Sequence, residues 1–221
     1  MTRARLVIFD VDGTLVDSQE HILAAMTAGF AAIDRPPPPR EQVLGIVGLS
    51  LPEAVRQLVP EYPEEQRDRI VGAYKASFGQ LRGRSHSPLF EGAAPLLLQL
   101  AADPHVRLAV ATGKSRRGLR HVLAAHGLDG VFDSLQVADD HPSKPHPSMV
   151  LAALAETGIA SADAVMIGDT SFDMEMGRAA RVATIGVTWG YHPAVALAAA
   201  DRLVGTFGAL ATALEDLWER A

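Results

Sequence analysis

The sequence predicts an α/β fold, a parallel sheet covered by helices on both faces, with a separate helical lobe inserted after the first strand. Three observations predict it. Leu6-Val7-Ile8-Phe9 is a short, unbroken apolar run that stops at Asp10, the pattern of a strand buried on both faces. No strand-like run follows between Leu15 and Pro88. From Ala93 onward, helical and strand-like segments alternate, as they do where helices cross between parallel strands.

The first strand runs into Asp10-Val11-Asp12-Gly13-Thr14, so Asp10 stands at the strand's carboxyl end, the edge where open α/β sheets bind ligands. Two acids one residue apart repel unless a cation or a shared proton relieves them. Asp17-Ser18-Gln19-Glu20 fits a helix N-cap with an acid three residues on, and Ile22, Leu23, Met26 and Phe30 continue at helical spacing. Pro36 to Pro39 end that helix. Helical patterning resumes from Arg40 to Gln80, broken at Gly48 to Pro52 and at Pro60 to Pro63, and Gly83 to Pro88 reads as the linker back. Helices are expected at Ala93 to Ala102, Ser115 to His126, Met149 to Glu156, Met174 to Ala180 and Phe207 to Trp218. Strands are expected at Val106 to Ala111, Leu135 to Ala138, Ala164 to Ile167, Ala183 to Val187 and Arg202 to Val204. The domain boundaries follow: residues 1–15 and 85–221 form the α/β core, and residues 16–84 form the helical lobe.

Composition narrows the function. With 221 residues, 48% of them hydrophobic and 21% charged, the chain can bury a sizeable core. Twenty basic against 26 acidic residues give a net charge of −6, which argues against nucleic acid or an anionic membrane as the main partner. There is no cysteine, hence no disulfide, thiolate metal site or cysteine nucleophile. No run of 18 apolar residues is present, and Asp10 and Asp12 cut short the signal-like start. A cytoplasmic location is expected.

Three more strand ends carry chemistry-bearing residues. Ala109-Val110-Ala111 leads into Thr112-Gly113-Lys114-Ser115, where a hydroxyl, a glycine and free N–H groups at a helix start form an anion site or, as such residues more often do in isolation, a Thr or Ser N-cap. Ser143-Lys144-Pro145-His146-Pro147 presents Lys144 either as an exposed lysine on a rigid turn or as an ammonium over the same sheet edge. Gly168-Asp169-Thr170-Ser171-Phe172-Asp173 places Asp169 at a strand end and Asp173 one helical turn on. Either acid also suits a structural cap, and Gly168 would let Asp169 approach a metal shared with Asp10. The histidines show no metal-ligand spacing and read mostly as surface residues. Trp189, Tyr191 and His192 follow a strand and either edge the site or pack in a turn.

Taken in order, Asp10 to Thr14, Thr112, Lys144, and Gly168-Asp169 with Asp173 resemble the four motifs of the haloacid dehalogenase superfamily. The insertion after the first motif is similar to the helical cap of the subgroup that includes phosphoglycolate phosphatases, as are Ala111 to Ser115, Ser143 to Pro147 and Val187 to His192. The resemblance implies a Rossmann-like core, a small α-helical cap and a Mg²⁺-dependent phosphomonoester hydrolase. Its partner would be a small phosphorylated metabolite, with 2-phosphoglycolate one candidate. Asp10 would be the nucleophile that forms an aspartyl-phosphate, and Asp12 the general acid and base. Thr112, Gly113 and Lys144 would bind phosphate. Asp10, the backbone carbonyl of Asp12, and Asp169 would hold the metal, with Asp173 behind them orienting Lys144 or metal-bound water.

Within that family a dehalogenase needs no second acid or metal, and a phosphonate hydrolase needs a cap lysine, for which Lys75 in mid-helix is poorly placed. A sugar-phosphate mutase of the same family is the nearer alternative. A phosphoaccepting regulatory module also groups acids, a threonine and a lysine around Mg²⁺ but is shorter and lacks the insertion. Gly45 to Ser50 lies between cap helices, where it either faces the site or only joins them. Arg56, Lys75, Arg82 and Arg84 are either candidates for a substrate carboxylate or, as such charges more often are, solvated helix and linker residues.

Overall fold

A computed structural model describes residues 3–219, apart from the side chain of Arg84. Strands β1 (Arg5–Phe9), β2 (Val106–Thr112), β3 (Ser134–Val137), β4 (Ala164–Gly168), β5 (Ala183–Val187) and β6 (Arg202–Val204) form a sheet in the order β3-β2-β1-β4-β5-β6, with every pairing parallel. This is the doubly wound order of Rossmann-like folds, in which the ligand crevice opens outside the carboxyl ends of the strands where the order reverses. Phe9 pairs with Val110 on one side and with Ile167 on the other. The segments leaving β1, β2 and β4 therefore emerge side by side, which brings residues 10, 112 and 169 to one edge.

Alternation along β1 builds a core on each face. Val7 and Phe9 pack with Leu97 and Leu100 of α5 (Ala93–Ala102), Leu119 and Leu123 of α6 (Arg116–Ala125), and Leu210 and Leu214 of α9 (Phe207–Glu219). Leu6 and Ile8 pack on the opposite face with Met149, Val150 and Ala153 of α7 (Ser148–Thr157) and Met176 of α8 (Ser171–Ala179). The sheet is buried on both sides, as its unbroken apolar strands require.

Between β1 and α5, helices α1 (Gln19–Ala31), α2 (Arg40–Leu44), α3 (Leu51–Leu58) and α4 (Glu64–Arg84) enclose a core of their own around Ile22, Met26, Phe30, Val43, Val55 and Ile70. Gly29 lets α1 close on α4, since a Cβ there would lie 3.1 Å from both the side chain and the carbonyl of Ile70. Three local expectations are corrected. Helix α4 runs through Gly83 to Arg84, so the linker starts at Ser85. Helix α8 begins at Ser171, three residues early, because Thr170 and Asp173 form a reciprocal capping box. At α1 the Ser18 hydroxyl makes no capping bond, for it is committed to Asp12.

Candidate active site

Asp10, Lys144, Asp169 and Asp173 are buried at the carboxyl edge, none more than 1% exposed. Lys144 Nζ donates to Asp10 Oδ1 at 2.7 Å and to Asp173 Oδ1 at 2.6 Å. Of the two readings of Lys144, the exposed turn lysine is thereby excluded. Asp173 also accepts from the backbone N–H and hydroxyl of Thr170, so it serves the helix cap and the lysine together. Asp169 is gripped by the Thr14 hydroxyl at 2.9 Å and by the Tyr191 N–H at 2.8 Å.

One ammonium does not balance three buried carboxylates. Burial pushes the Asp10 carboxyl up to about 7, with the charges of Asp173 and Asp12 adding to it and that of Lys144 opposing it. Asp169 is pushed well above the usual range, first by burial and then by Asp10 and Asp173. Burial pulls the Lys144 ammonium down, yet the two acids it touches outweigh that and raise it. Asp10 Oδ2 is buried without a hydrogen-bond partner among the described residues. Asp10, Asp169 and Asp173 each offer an oxygen, all within 4.8 Å of one another. An all-oxygen donor set with excess negative charge and an orphaned carboxylate oxygen fits a hard divalent cation such as Mg²⁺.

The Asp12 carboxylate stands apart from this cluster. Lys114 Nζ donates to both its oxygens at 2.7 Å, and the Ser18 hydroxyl donates to one of them. Thr112 Oγ1 accepts from the Lys114 N–H at 3.2 Å, which leaves its own hydrogen free for a ligand. The capping of α6 falls to Ser115, which accepts from the Gly118 N–H.

Glycines make room for the acids, though not as expected. A Cβ at Gly168 would lie 2.3 Å from Asp173 Cγ, so that glycine admits Asp173. Space for Asp169 comes instead from Gly13 (φ +84°) and Gly190, where a Cβ would come within 2.2 Å of Asp169 atoms.

The helical insertion closes on this edge through residues 45–50. A Cβ on Gly113 would lie 2.4 Å from the Leu49 carbonyl oxygen and 2.6 Å from that of Gly48. The Ser50 N–H donates to Ser143 Oγ, next to Lys144, and His192 Nε2 meets the Gly45 carbonyl at 3.1 Å. Between the two parts lies a cavity of about 330 Å³ that reaches Asp10, Asp12, Thr112 and Gly113. Lys75 and Arg82 line it, whereas Arg56 is exposed and paired with Glu53 away from it. The side chain of Arg84 lies outside the described residues.

Sequence reasoning read Ser18 only as part of a helix N-cap and singled out no site role for Thr14, Lys114 or Gly190. Lys114 alone carried a signal, a lysine two residues beyond a strand-end threonine. Tyr191 and His192 do edge the site, and Trp189 donates to the Thr14 carbonyl. The histidines are less exposed than expected: His192 is buried, and His21, His121, His126 and His141 are half-buried.

A family of haloacid dehalogenase-like hydrolases matches residues 7–187. A probable phosphatase, IndB of Dickeya dadantii, is 37% identical over 208 residues, spanning 91% of this chain and 90% of that protein. The phosphoglycolate phosphatase of Pasteurella multocida is 28% identical over 225 residues, 97% of this chain and 100% of that protein. Among solved structures, a predicted phosphatase from Clostridium acetobutylicum superposes with a TM-score of 0.86 at 25% identity, over 97% of this chain and 99% of that one.

Proposed function

The chain belongs to the haloacid dehalogenase-like hydrolases, and from that premise we propose that it is a Mg²⁺-dependent phosphomonoester hydrolase acting on a small phosphorylated metabolite through an aspartyl-phosphate. The observation that carries this reading is the meeting of Asp10, Asp169 and Asp173 within 4.8 Å of one another, with buried Lys144 bonded to Asp10 and Asp173 and an Asp10 oxygen left unpartnered. Phosphatases among the relatives support it, and 2-phosphoglycolate is the first ester to try because one of them is named for it.

Asp10 and Asp169, with the backbone carbonyl of Asp12, would hold the cation, which when bound supplies positive charge to the acids and to the phosphoryl oxygens. Lys144 fixes Asp10 by one oxygen and is itself fixed by Asp173. An oxygen of Asp10 attacks phosphorus, the bond from phosphorus to the alcohol oxygen breaks, and Asp12 delivers a proton to that oxygen. Asp12 then takes a proton from water as the water attacks the aspartyl-phosphate, releasing inorganic phosphate and restoring Asp10. The Thr112 hydroxyl, the Gly113 N–H and the Lys144 ammonium hold the phosphoryl oxygens, where positioning and electrostatics supply most of the rate. Residues 16–84 act as a cap on a core of residues 1–15 and 85–221 and exclude water during the reaction.

The test is phosphate release from a panel of monoesters with Mg²⁺ and with EDTA. Wild type is expected to turn over only with the metal, and Asp10→Asn to lose about 10⁴-fold or more. No metal-dependent turnover, or full turnover by Asp10→Asn, overturns the reading. A bisphosphate requirement with little net phosphate release would mark a mutase instead, and a phospho-aspartate that persists for minutes a regulatory module.

A further inference from the structure

The cavity above Asp10 is not the cavity a two-carbon acid needs. Ile22 and Met26 of α1, Val47, Leu51, and Tyr74 and Phe78 of α4 wall it. Its volume of about 330 Å³ falls among pockets of ~300–1,000 Å³, which enclose ligands larger than a glycolate. Tyr74 and Phe78 are one helical turn apart, so both face the same way, and their rings stack at 5.7 Å and 16°. The Phe78 ring also lies 5.2 Å beneath Lys114 Nζ, the ammonium that holds Asp12. The aromatic wall therefore begins beside the residue that would protonate the leaving oxygen. The Tyr74 hydroxyl makes no hydrogen bond among the described residues; burial, then the charge of Asp12, pushes it above its ordinary range, so it remains a proton donor.

We propose that the substrate is a phosphomonoester whose alcohol carries a bulky apolar or aromatic body, and that Tyr74 and Phe78 are the specificity-determining residues that receive it. The proposal rests on the phosphomonoesterase reading and names its substrate class. Apolar walls reward burial of such a body, whereas a carboxylate placed among them loses a hydration shell that the single free hydroxyl of Tyr74 does not replace. Lys114, which also lines the cavity, is committed to Asp12, and the remaining cations do not reverse this, because Lys75 and Arg117 are exposed and Arg82 is half-buried. They stand where solvent screens them.

The experiment compares 2-phenylethyl phosphate, ethyl phosphate and 2-phosphoglycolate. The first two differ only by a phenyl group remote from the reacting bond. With Mg²⁺, wild-type kcat/KM is expected to be at least about tenfold higher for the phenylethyl ester than for the other two, a difference of ~1.4 kcal/mol. Calorimetry on Asp10→Asn reads the same preference as binding, without turnover. Phe78→Ala should cut the preference between phenylethyl and ethyl esters at least threefold. Phe78→Leu, which keeps apolar packing against α4's neighbours, should retain part of it, and a merely structural role for Phe78 would leave the ratio unmoved in both. Equal rates, a 2-phosphoglycolate advantage, or an unchanged ratio in both Phe78 variants overturns the proposal while leaving the hydrolase reading intact. Preferential binding of the phenylethyl ester by a protein that releases no phosphate does the converse.

Discussion

At the carboxyl edge of the sheet, Asp10, Lys144, Asp169 and Asp173 are sealed from solvent and tied to one another or to backbone groups. Across the same cavity, the helical insertion offers Ile46, Tyr74 and Phe78, all half-buried, with Lys75 exposed beside them. One wall is charge held rigidly by bonds; the other is apolar surface held only by packing. The difference teaches how labour divides. Charge in a low-dielectric site acts strongly and tolerates little displacement, so it belongs on strand ends. Contact with a variable organic group needs shape and area, which helices joined by short loops can supply and change without disturbing the acids.

Removing charge from the sealed wall should cost most. Lys144→Met leaves three acids buried with no cation among them, a loss of about 3–5 kcal/mol, read as a fall in Tm of roughly 10 °C. Added Mg²⁺ should recover more of that loss in the variant than it adds to wild type. A variant as stable as wild type without metal would break the contrast.

Gly113→Ala tests the seam. Its Cβ would meet the backbone carbonyls of Gly48 and Leu49, which cannot rotate away as a side chain can. The insertion must lift off the core, so turnover should fall about 10–100-fold while the melting transition moves little. Wild-type kinetics would show that the two walls need not touch.

Acidity sharpens the comparison further. Asp10 is raised from 3.8 to about 7, so the metal-free fold binds more protons than the unfolded chain between those values. Its stability therefore falls as pH rises from about 4 through about 7. A cation competes with those protons, so the Tm gain from Mg²⁺ should be larger at pH 8 than at pH 6. A pH-independent gain would mean that the metal binds elsewhere.

The smallest effect is expected at His192, where the insertion rests on the core. Its Nδ1 accepts from the Ser171 N–H and its Nε2 faces the Gly45 carbonyl, which suits the neutral ring. Burial lowers it below its ordinary 6.5, so this contribution is whole above pH 6.5 and is lost as pH falls from there through the lowered value of the folded state. His192→Asn should change Tm by about 2–4 °C and flatten the acid side of the profile. An unchanged slope would remove His192 from the account.

The same division governed what could be read from the chain. Asp10, Thr112, Lys144 and Asp169 were legible because each directly follows an apolar strand or sits between prolines, a local pattern. The faces of β1 were legible for the same reason. Ser18 on Asp12, Lys114 on Asp12, and the clearance that Gly13 and Gly190 give Asp169 were not, because they depend on which strands neighbour β1 and on loops far apart in sequence. Gly168 was assigned to the wrong acid because adjacency in sequence does not say which side chain turns toward the missing Cβ. In the insertion, helix positions were legible from their spacing, but the cavity wall was not. Tyr74 and Phe78 carry the same helical periodicity whether they fill a core or face a ligand.

The most direct test is where a divalent cation binds. Crystals grown with Mn²⁺ in place of Mg²⁺ should show one strong anomalous peak in contact with the carboxylates of Asp10 and Asp169, lost in Asp169→Ala. Metal-dependent phosphate release by a protein whose peak lies elsewhere, or the absence of any peak at that edge, would contradict the account.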